Sequence, residues 1–236
     1  MKALVLAAGQ GTRLRPLTLH QPKAMLPIGG TPLIGHIVAL LRRHGVTDIA
    51  VNLHHCPEAI RAYLGDGRSF GVRITYSHEP ELMGTAGAAK RLEGFLDETF
   101  FVYYGDVFTM ADLTALSEFH RAKDALATVA VHTVQDPWTK GVVEWDEDSG
   151  RIERFVEKPP RGEEPSDLAN TGIYVMEPQV LDYIPPDRFC DFGYDVFPAL
   201  LDAGMPVYAY RIQEYLMDIG SLEKYEQVQK DYERGL

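Results

Sequence analysis

The chain has 236 residues and a net charge of −11, from 23 basic against 34 acidic side chains. A chain this acidic, with no basic run, suits neither nucleic acid nor an anionic membrane surface, so any nucleotide it takes should be a small one held by local cations. Its length favours one α/β domain with a core that needs no staples. Cys56 and Cys190 stand far apart and outside any C-x-x-C, as reduced cytosolic thiols do. No charged-then-apolar leader opens the sequence and no apolar run approaches membrane-spanning length, which predicts a cytoplasmic location.

In chain order, Ala3–Ala8 reads as an apolar strand that breaks into Gly9-Gln10-Gly11. A helix follows with Thr31 as N-cap and Pro32 in its first turn, apolar at helical spacing from Leu33 to Leu41 and closed by Gly45. Asp48–Leu53 is a strand, Pro57–Leu64 a helix ended by Gly65, and Val72–Ser77 a strand. A helix over Thr85–Phe95, an apolar strand over Thr99–Tyr104 and a helix over Asp112–Arg121 complete the first half. That alternation predicts a Rossmann-like, mostly parallel sheet in a three-layer αβα arrangement. Beyond it, Ala127–Thr133, Gly141–Trp145, Ile152–Val156 and Gly172–Met176 are strands joined by turns, an antiparallel or mixed extension of the sheet. Asp195–Asp202 is a short helix, Val207–Arg211 a strand and Ser221–Arg234 a closing amphipathic helix. There are no repeats, and Pro159–Pro165 is loop-like but too short for a linker.

The stretch from Val5 to Pro27 carries the chemistry. A buried strand ending in glycines lets its backbone pass close to a large anion with N–H groups turned towards the oxygens. Arg13 and Lys23 can then close on that anion from a loop stiffened by Pro16, Pro22 and Pro27. A lone G-x-G is more often just a strand turning into a helix, but here Thr12, Arg13, Leu14, Pro16, Leu17, Thr18, Pro22 and Lys23 are all in step with it. Leu14 stands where a dinucleotide fingerprint needs its third glycine, and no Walker pattern exists anywhere.

G-x-G-T-R-L-R-P-L-T followed by P-K resembles the signature of the sugar-1-phosphate nucleotidyltransferases. The resemblance runs from Met1 to about Tyr225. It implies a glycosyltransferase-A-like nucleotidyltransferase fold in one domain: a nucleotide-binding half over 1–125, a sugar-phosphate-binding half over 126–220 and a C-terminal helix over 221–236. Some relatives add a left-handed β-helix, and this sequence stops before one could begin. The nucleotide side would use Leu6, Ala8, Gly9, Gly11, Thr12, Arg13, Lys23, Gly84 and Thr85. Tyr104-Gly105-Asp106 closes an apolar strand, where ligands of an open α/β sheet gather, and Asp218 follows another apolar run. Each alone reads as a turn or capping residue. Together they match the family's two metal-binding aspartates and would hold one Mg²⁺ through hard carboxylate oxygens.

Glu157-Lys158-Pro159 alone would be a solvated pair. In the family, this glutamate binds sugar hydroxyls and this lysine the sugar phosphate. Asn170-Thr171-Gly172-Ile173-Tyr174 matches a strand whose asparagine contacts the sugar, and Gly141 a glycine whose backbone does, although Lys140 replaces the commoner tyrosine before it. Gly84-Thr85-Ala86-Gly87 and Met217-Asp218-Ile219-Gly220 are similar to the GDP-mannose branch. The expected substrates are GTP and mannose 1-phosphate. Uridylyl or thymidylyl transfer to glucose- or amino-sugar phosphates is the alternative, and a non-catalytic nucleotide-sugar sensor the competing class. Arg13, Lys23, Asp106, Lys158 and Asp218 are the expected catalytic set, and the joint presence of Arg13, Lys23, Asp106 and Asp218 favours the enzyme. The chemistry needs small-molecule partners only, with homo-oligomer formation left open. His54-His55-Cys56 lacks a second cluster to complete a zinc site, no G-x-S-x-G marks a serine hydrolase, and Trp138 and Trp145 fit a core or pocket wall.

Overall fold

The structure, a computed structural model, describes residues 1–236. In chain order the elements are β1 (Lys2–Leu6), β2 (Pro27–Ile28), β3 (Thr31–Pro32), α1 (Leu33–Arg43), β4 (Asp48–Leu53), α2 (Pro57–Leu64), β5 (Arg73–His78) and α3 (Gly84–Lys90). Then come β6 (Phe100–Tyr104), β7 (Val107–Thr109), α4 (Leu113–Ala122), β8 (Ala127–Thr133), β9 (Gly141–Trp145), β10 (Ile152–Glu157) and β11 (Leu168–Met176). The last are α5 (Phe197–Asp202), β12 (Val207–Arg211), β13 (Leu216–Asp218) and α6 (Leu222–Glu233). The class is α/β with a mixed parallel and antiparallel sheet, as the alternation of elements predicts. No helix is long and apolar enough to cross a membrane.

Two compact units are distinguished. The first comprises Met1–Leu82, Tyr103–Ala111 and Glu214–Leu236. In it, β1 runs parallel to β4, with Leu6 beside Asn52, and β4 parallel to β5. Strands β1 and β4 are buried along most of their length, as parallel strands covered by helices must be, whereas β5, at the edge of the sheet, is mostly polar. The α1 stripe of Leu33, Ile34, Ile37, Val38 and Leu41 is fully buried, and each such side chain contributes about 1.5–3 kcal/mol against exposure. The helix ends at the expected glycine: Gly45 takes φ +80° and the Val46 N–H reaches back to Leu41 O at 3.0 Å.

Its start differs from the expectation at Thr31. Thr31 and Pro32 pair with Ile28 and Pro27 in a hairpin turned by Gly29 and Gly30, both at positive φ. A Gly-Gly pair of this kind is a two-residue hairpin signal, and it overrides the capping tendency of the threonine. The tip is covered by α6, where Gln229 Nε2 and Tyr225 OH both donate to Pro27 O, at 2.7 and 2.8 Å.

The second unit comprises Met83–Val102 and Asp112–Gln213. Here β11 pairs antiparallel with β8 and β9, β9 antiparallel with β10, and β12 parallel with β8. Strand β11 begins four residues before the expected Gly172. Gly172 does not start the strand but sits in a bulge within it, where the register shifts between Asn170 and Tyr174. Helix α3 stops at Lys90, short of the expected Phe95, and the chain goes on in turns through Phe95, a stretch that includes Gly94, a poor helix residue. The helix expected from Asp195 instead opens as a π-turn over Phe192–Val196 before α5.

Helix α4 is capped by Asp112, whose Oδ1 accepts from the Thr114 and Ala115 N–H groups at 2.9 and 3.0 Å. It buries His120, whose Nδ1 lies 2.9 Å from Thr128 Oγ1 and Nε2 3.2 Å from Glu177 Oε1. Thr99 Oγ1 donates to that same Glu177 oxygen at 2.7 Å. Burial pushes the His120 pKa below its ordinary 6.5, and outweighs the nearby Glu177 carboxylate, which acts in the opposite direction. The folded state therefore binds fewer protons than the unfolded chain in the window below 6.5. The resulting stability is fully present above 6.5 and is lost as the pH falls through the folded value. Urea unfolding from about pH 8 to about pH 5 should show stability falling on the acid side, with a smaller fall in His120→Gln. Parallel pH profiles in the two proteins would contradict the assignment.

Candidate active site

The first unit builds its site from the end of β1. The Ala7 N–H donates to Asn52 Oδ1 at 2.6 Å, and Asn52 Nδ2 donates to Glu79 Oε1 at 2.8 Å, with both side chains buried. This relay satisfies the backbone where the strand ladder stops. Ala8 is buried beside it, while the position a Gly9 side chain would take is open. Gly11 turns the chain at φ +61°, a conformation that costs an L-residue about 1–2 kcal/mol. Its carbonyl accepts from the Leu14 N–H at 2.9 Å and Thr18 Oγ1 at 2.7 Å. Thr12–Leu14 is then one 3₁₀ turn, anchored by buried Leu14, with Thr12 and Arg13 left outside.

Lys23 opens a second 3₁₀ turn and places Nζ 2.6 Å from Asp106 Oδ2. Gly105 makes this approach sterically allowed. Its N–H donates to Leu6 O at 2.9 Å, and an added Cβ would stand 2.7 Å from that same oxygen. Asp218 arrives from the far end of the sequence through the antiparallel β7–β13 pair, opposite Val107, and the Ile219 N–H donates to Asp106 O at 2.8 Å. Lys224, in the first turn of α6, holds Asp218 Oδ2 at 3.1 Å. The Arg13 guanidinium lies beside Gly220, at 3.6 and 3.7 Å from where a Cβ would be. Gly9, Gly11, Thr12, Arg13, Leu14, Lys23, Asp106 and Gly220 line a cavity of about 230 Å³.

In the second unit, Glu157 ends β10 directly opposite Gly141 of β9. Its carboxylate packs against the glycine backbones at 141 and 193, and burial pushes its pKa above the ordinary carboxylate value, although Lys158 acts to lower it. Lys158 is held at φ +49°, with its N–H donating to Lys140 O at 2.9 Å. Its exposed ammonium lies 3.8 Å from Glu157 Oε1.

Asn170 is committed locally. Its Oδ1 accepts from the Gly172 N–H and its Nδ2 donates to Tyr174 OH, both at 2.9 Å. Gly84, at φ +77°, lets α3 begin against the Cys190 carbonyl, which accepts the Ala86 and Gly87 N–H groups at 3.0 and 3.1 Å. Thr85 Oγ1 donates to Asp191 Oδ2 at 2.8 Å and accepts the Phe192 N–H at 2.9 Å.

Within the first unit, then, the structure brings together Gly9, Gly11, Thr12, Arg13, Lys23, Asp106 and Asp218, with Leu6 and Ala8 behind them in the strand end. Within the second it brings Gly141, Glu157 and Lys158 together, whereas Asn170 spends its polar groups within the bulge of β11 and Thr85 spends its hydroxyl on the distant Asp191–Phe192 segment. Lys224 escapes the sequence reading, and Gly105 and Gly220 stand inside its motifs without a role assigned to them. The lysine could have been found as a cation in the first turn of the helix that follows Asp218, but cations on a terminal amphipathic helix are ordinarily solvated.

Residues 2–235 match the model of the Nucleotidyl transferase family, and the chain belongs to that family. It is 43% identical over 95% of its length to a UTP–glucose-1-phosphate uridylyltransferase of Synechocystis, covering 61% of that protein. It is 38% identical over 99% of its length to a mannose-1-phosphate guanylyltransferase of Mycobacterium tuberculosis, covering 65% of that protein. The chain thus spans less than two thirds of these curated relatives. Among solved structures, one described as a glucose-1-phosphate thymidylyltransferase from Bacillus anthracis superposes with a TM-score of 0.90 at 28% identity, over 100% of this chain and 96% of that one.

Gly11→Ala should destabilise the protein by about 1–2 kcal/mol in chemical denaturation, because the left-handed turn and Thr18 both oppose a methyl group. Gly9→Ala should change stability by less than about 0.5 kcal/mol, as it points into open space. Equal losses would mean that the turn is not held at Gly11.

Proposed function

We propose that this chain transfers a nucleotidyl group from a nucleoside triphosphate to a sugar 1-phosphate and releases pyrophosphate. The observation that carries the reading is the cavity in which a glycine turn, Arg13, Lys23 and Asp106 meet, in a chain of this family. Its volume suits phosphate groups better than a whole nucleotide. The attacking group is a phosphate oxygen, already anionic at neutral pH, so no general base is needed. The work left to the protein is to align two polyanions and to offset the charge that builds on the α-phosphate and the leaving pyrophosphate. Arg13, Lys23 and the N–H groups of the glycine turn hold the triphosphate, and Gly84 and Thr85 border the base. Lys158 holds the sugar phosphate, Glu157 accepts from sugar hydroxyls, and Gly141 and Asn170 support the same ring.

The donor set fits a hard divalent cation. Asp218 stands opposite Val107, the residue after Asp106, and the Ile219 N–H donates to Asp106 O at 2.8 Å, so both aspartates belong to one short ladder, and phosphate and water oxygens would complete the coordination of such an ion. They would hold Mg²⁺, which supplies charge neutralisation to the phosphates when bound. Lys23 and Lys224, one on each carboxylate, keep the paired negative charges compensated.

For the substrates we take GTP and mannose 1-phosphate, giving GDP-mannose. Gly84–Gly87 and Met217–Gly220 support this, as does 38% identity to the mycobacterial guanylyltransferase. UTP with glucose 1-phosphate is the second reading, favoured by the 43% identity to the Synechocystis protein. Pyrophosphate release from GTP, UTP and dTTP, each with mannose 1-phosphate and glucose 1-phosphate, separates them. No release with any pair would reject the activity itself.

Asp218→Asn should fold normally yet lose about 10²–10³ in Mg²⁺-dependent turnover, and full activity would reject the metal assignment. Lys158→Ala should raise KM for the sugar phosphate about 10- to 100-fold while leaving the triphosphate KM unchanged. An equal rise in both would overturn that division of roles.

A further inference from the structure

Residues Phe192–Val196 form a single π-turn, a backbone form that is rare and frequent at functional sites. The turn is pinned from inside. Phe192 is fully buried, 5.6 Å from the Tyr174 ring and 6.0 Å from that of Phe197. Asp191 Oδ1 accepts the Gly193 N–H at 2.9 Å, and Asp195 Oδ2 accepts the Asp191 N–H at 2.7 Å. Gly193 is buried against Glu157, and Tyr194 is on the outer side of the turn. A Cβ at Gly193 would stand 2.5 Å from Glu157 Oε2, so the missing side chain is what leaves room for that carboxylate. Tyr194 projects beyond it and is 56% exposed, with the Lys158 ammonium 5.7 Å from its ring centroid.

A large aromatic ring left in solvent on a pinned turn, near the Glu157 carboxylate and the Lys158 ammonium, is a combination that suits a phosphorylated sugar. Hydroxyls donate to the carboxylate, the phosphate pairs with the ammonium, and the C–H face of a hexose carries the partial positive charge that an aromatic face attracts. We propose that Tyr194 is a substrate-binding residue, whose ring is the platform for the hexose of the sugar 1-phosphate held by Glu157 and Lys158. This rests on the sugar-1-phosphate reading above and adds to it a contact with the ring carbons, which no charged residue can supply.

The test uses the full chain, with mannose 1-phosphate, glucose 1-phosphate and inorganic phosphate as probes, and binding read by calorimetry and saturation-transfer NMR without nucleotide. Tyr194→Ala should weaken the preferred hexose 1-phosphate about 5- to 10-fold and leave inorganic phosphate unchanged. Tyr194→Phe should bind within about 2-fold of wild type, because the ring and not the hydroxyl makes the contact. Unchanged hexose phosphate binding in Tyr194→Ala would overturn the proposal. An equal loss for inorganic phosphate would overturn it too, since the effect would then pass through Lys158. If the wild-type protein binds neither hexose phosphate, the sugar-1-phosphate reading itself fails and the platform with it. That result is separable from the others because it appears before any substitution is made.

Discussion

The antiparallel pairing of Val107–Thr109 with Leu216–Asp218 is the constraint on which the first unit's site depends. It is a short ladder, extended at both ends: Thr109 Oγ1 and the Met110 N–H donate to Tyr215 O at 2.6 and 3.0 Å, and the Ile219 N–H to Asp106 O at 2.8 Å. Without it, Asp106 and Asp218 would belong to separate loops. With it, Asp218 is held opposite the residue that follows Asp106, and two like charges on one short ladder oppose each other unless cations offset them. Lys23 and Lys224 do so, each from a different part of the chain. Both carboxylates keep some contact with solvent, so screening reduces what either ion pair contributes to stability. Their more direct effect is to order side chains that a phosphate ligand would otherwise have to order on binding.

Cations are used sparingly in this protein. In a chain with a net charge of −11, an anionic ligand meets an unfavourable field everywhere except where positive groups are concentrated. Arg13 and Lys23 do this on one wall of a small cavity, where the glycine turn adds backbone N–H dipoles without adding bulk. Lys158 does it alone, at a strained left-handed position beside a carboxylate that burial makes reluctant to ionise. One group of cations suits a polyphosphate and the other a single phosphate attached to a polar ring.

Much of the fold was legible locally. The bounds expected for β4, α2, β8, β9 and β12 coincide with those observed, because each is an apolar run or stripe punctuated by glycine, proline or a charged turn. The misreadings arise where one local signal is outweighed by another or by a contact elsewhere in the chain. Thr31 looks like a cap but is drawn into a hairpin covered by α6. Gly172 looks like a strand start but marks a bulge, with Thr171 Oγ1 bonded to Ala130 O of the neighbouring strand at 2.8 Å. Phe192–Val196 has no helical periodicity of its own and is shaped by the rings of Tyr174 and Phe197 beneath it. Strands β7 and β13 are three residues each, too short for any period to register.

The sequence by itself determined the class of chemistry on offer: a glycine turn with Arg13 and Lys23, two aspartates at strand ends, and a Glu-Lys pair, on an alternating α/β pattern. These are matters of residue type and near-neighbour spacing, which a linear chain carries in full. Only the tertiary structure decided which groups share an oxygen, which polar atoms are already committed, and which side chains stand free. Asn170 turned out to be tied within its own strand bulge, Thr85 to the distant Asp191–Phe192 segment, Lys224 to be the partner of Asp218, and Tyr194 to face solvent beside Lys158. The physical reason is that hydrogen bonds and ion pairs act over a few ångströms, and which distant residues come that close is settled by strand pairing and core packing.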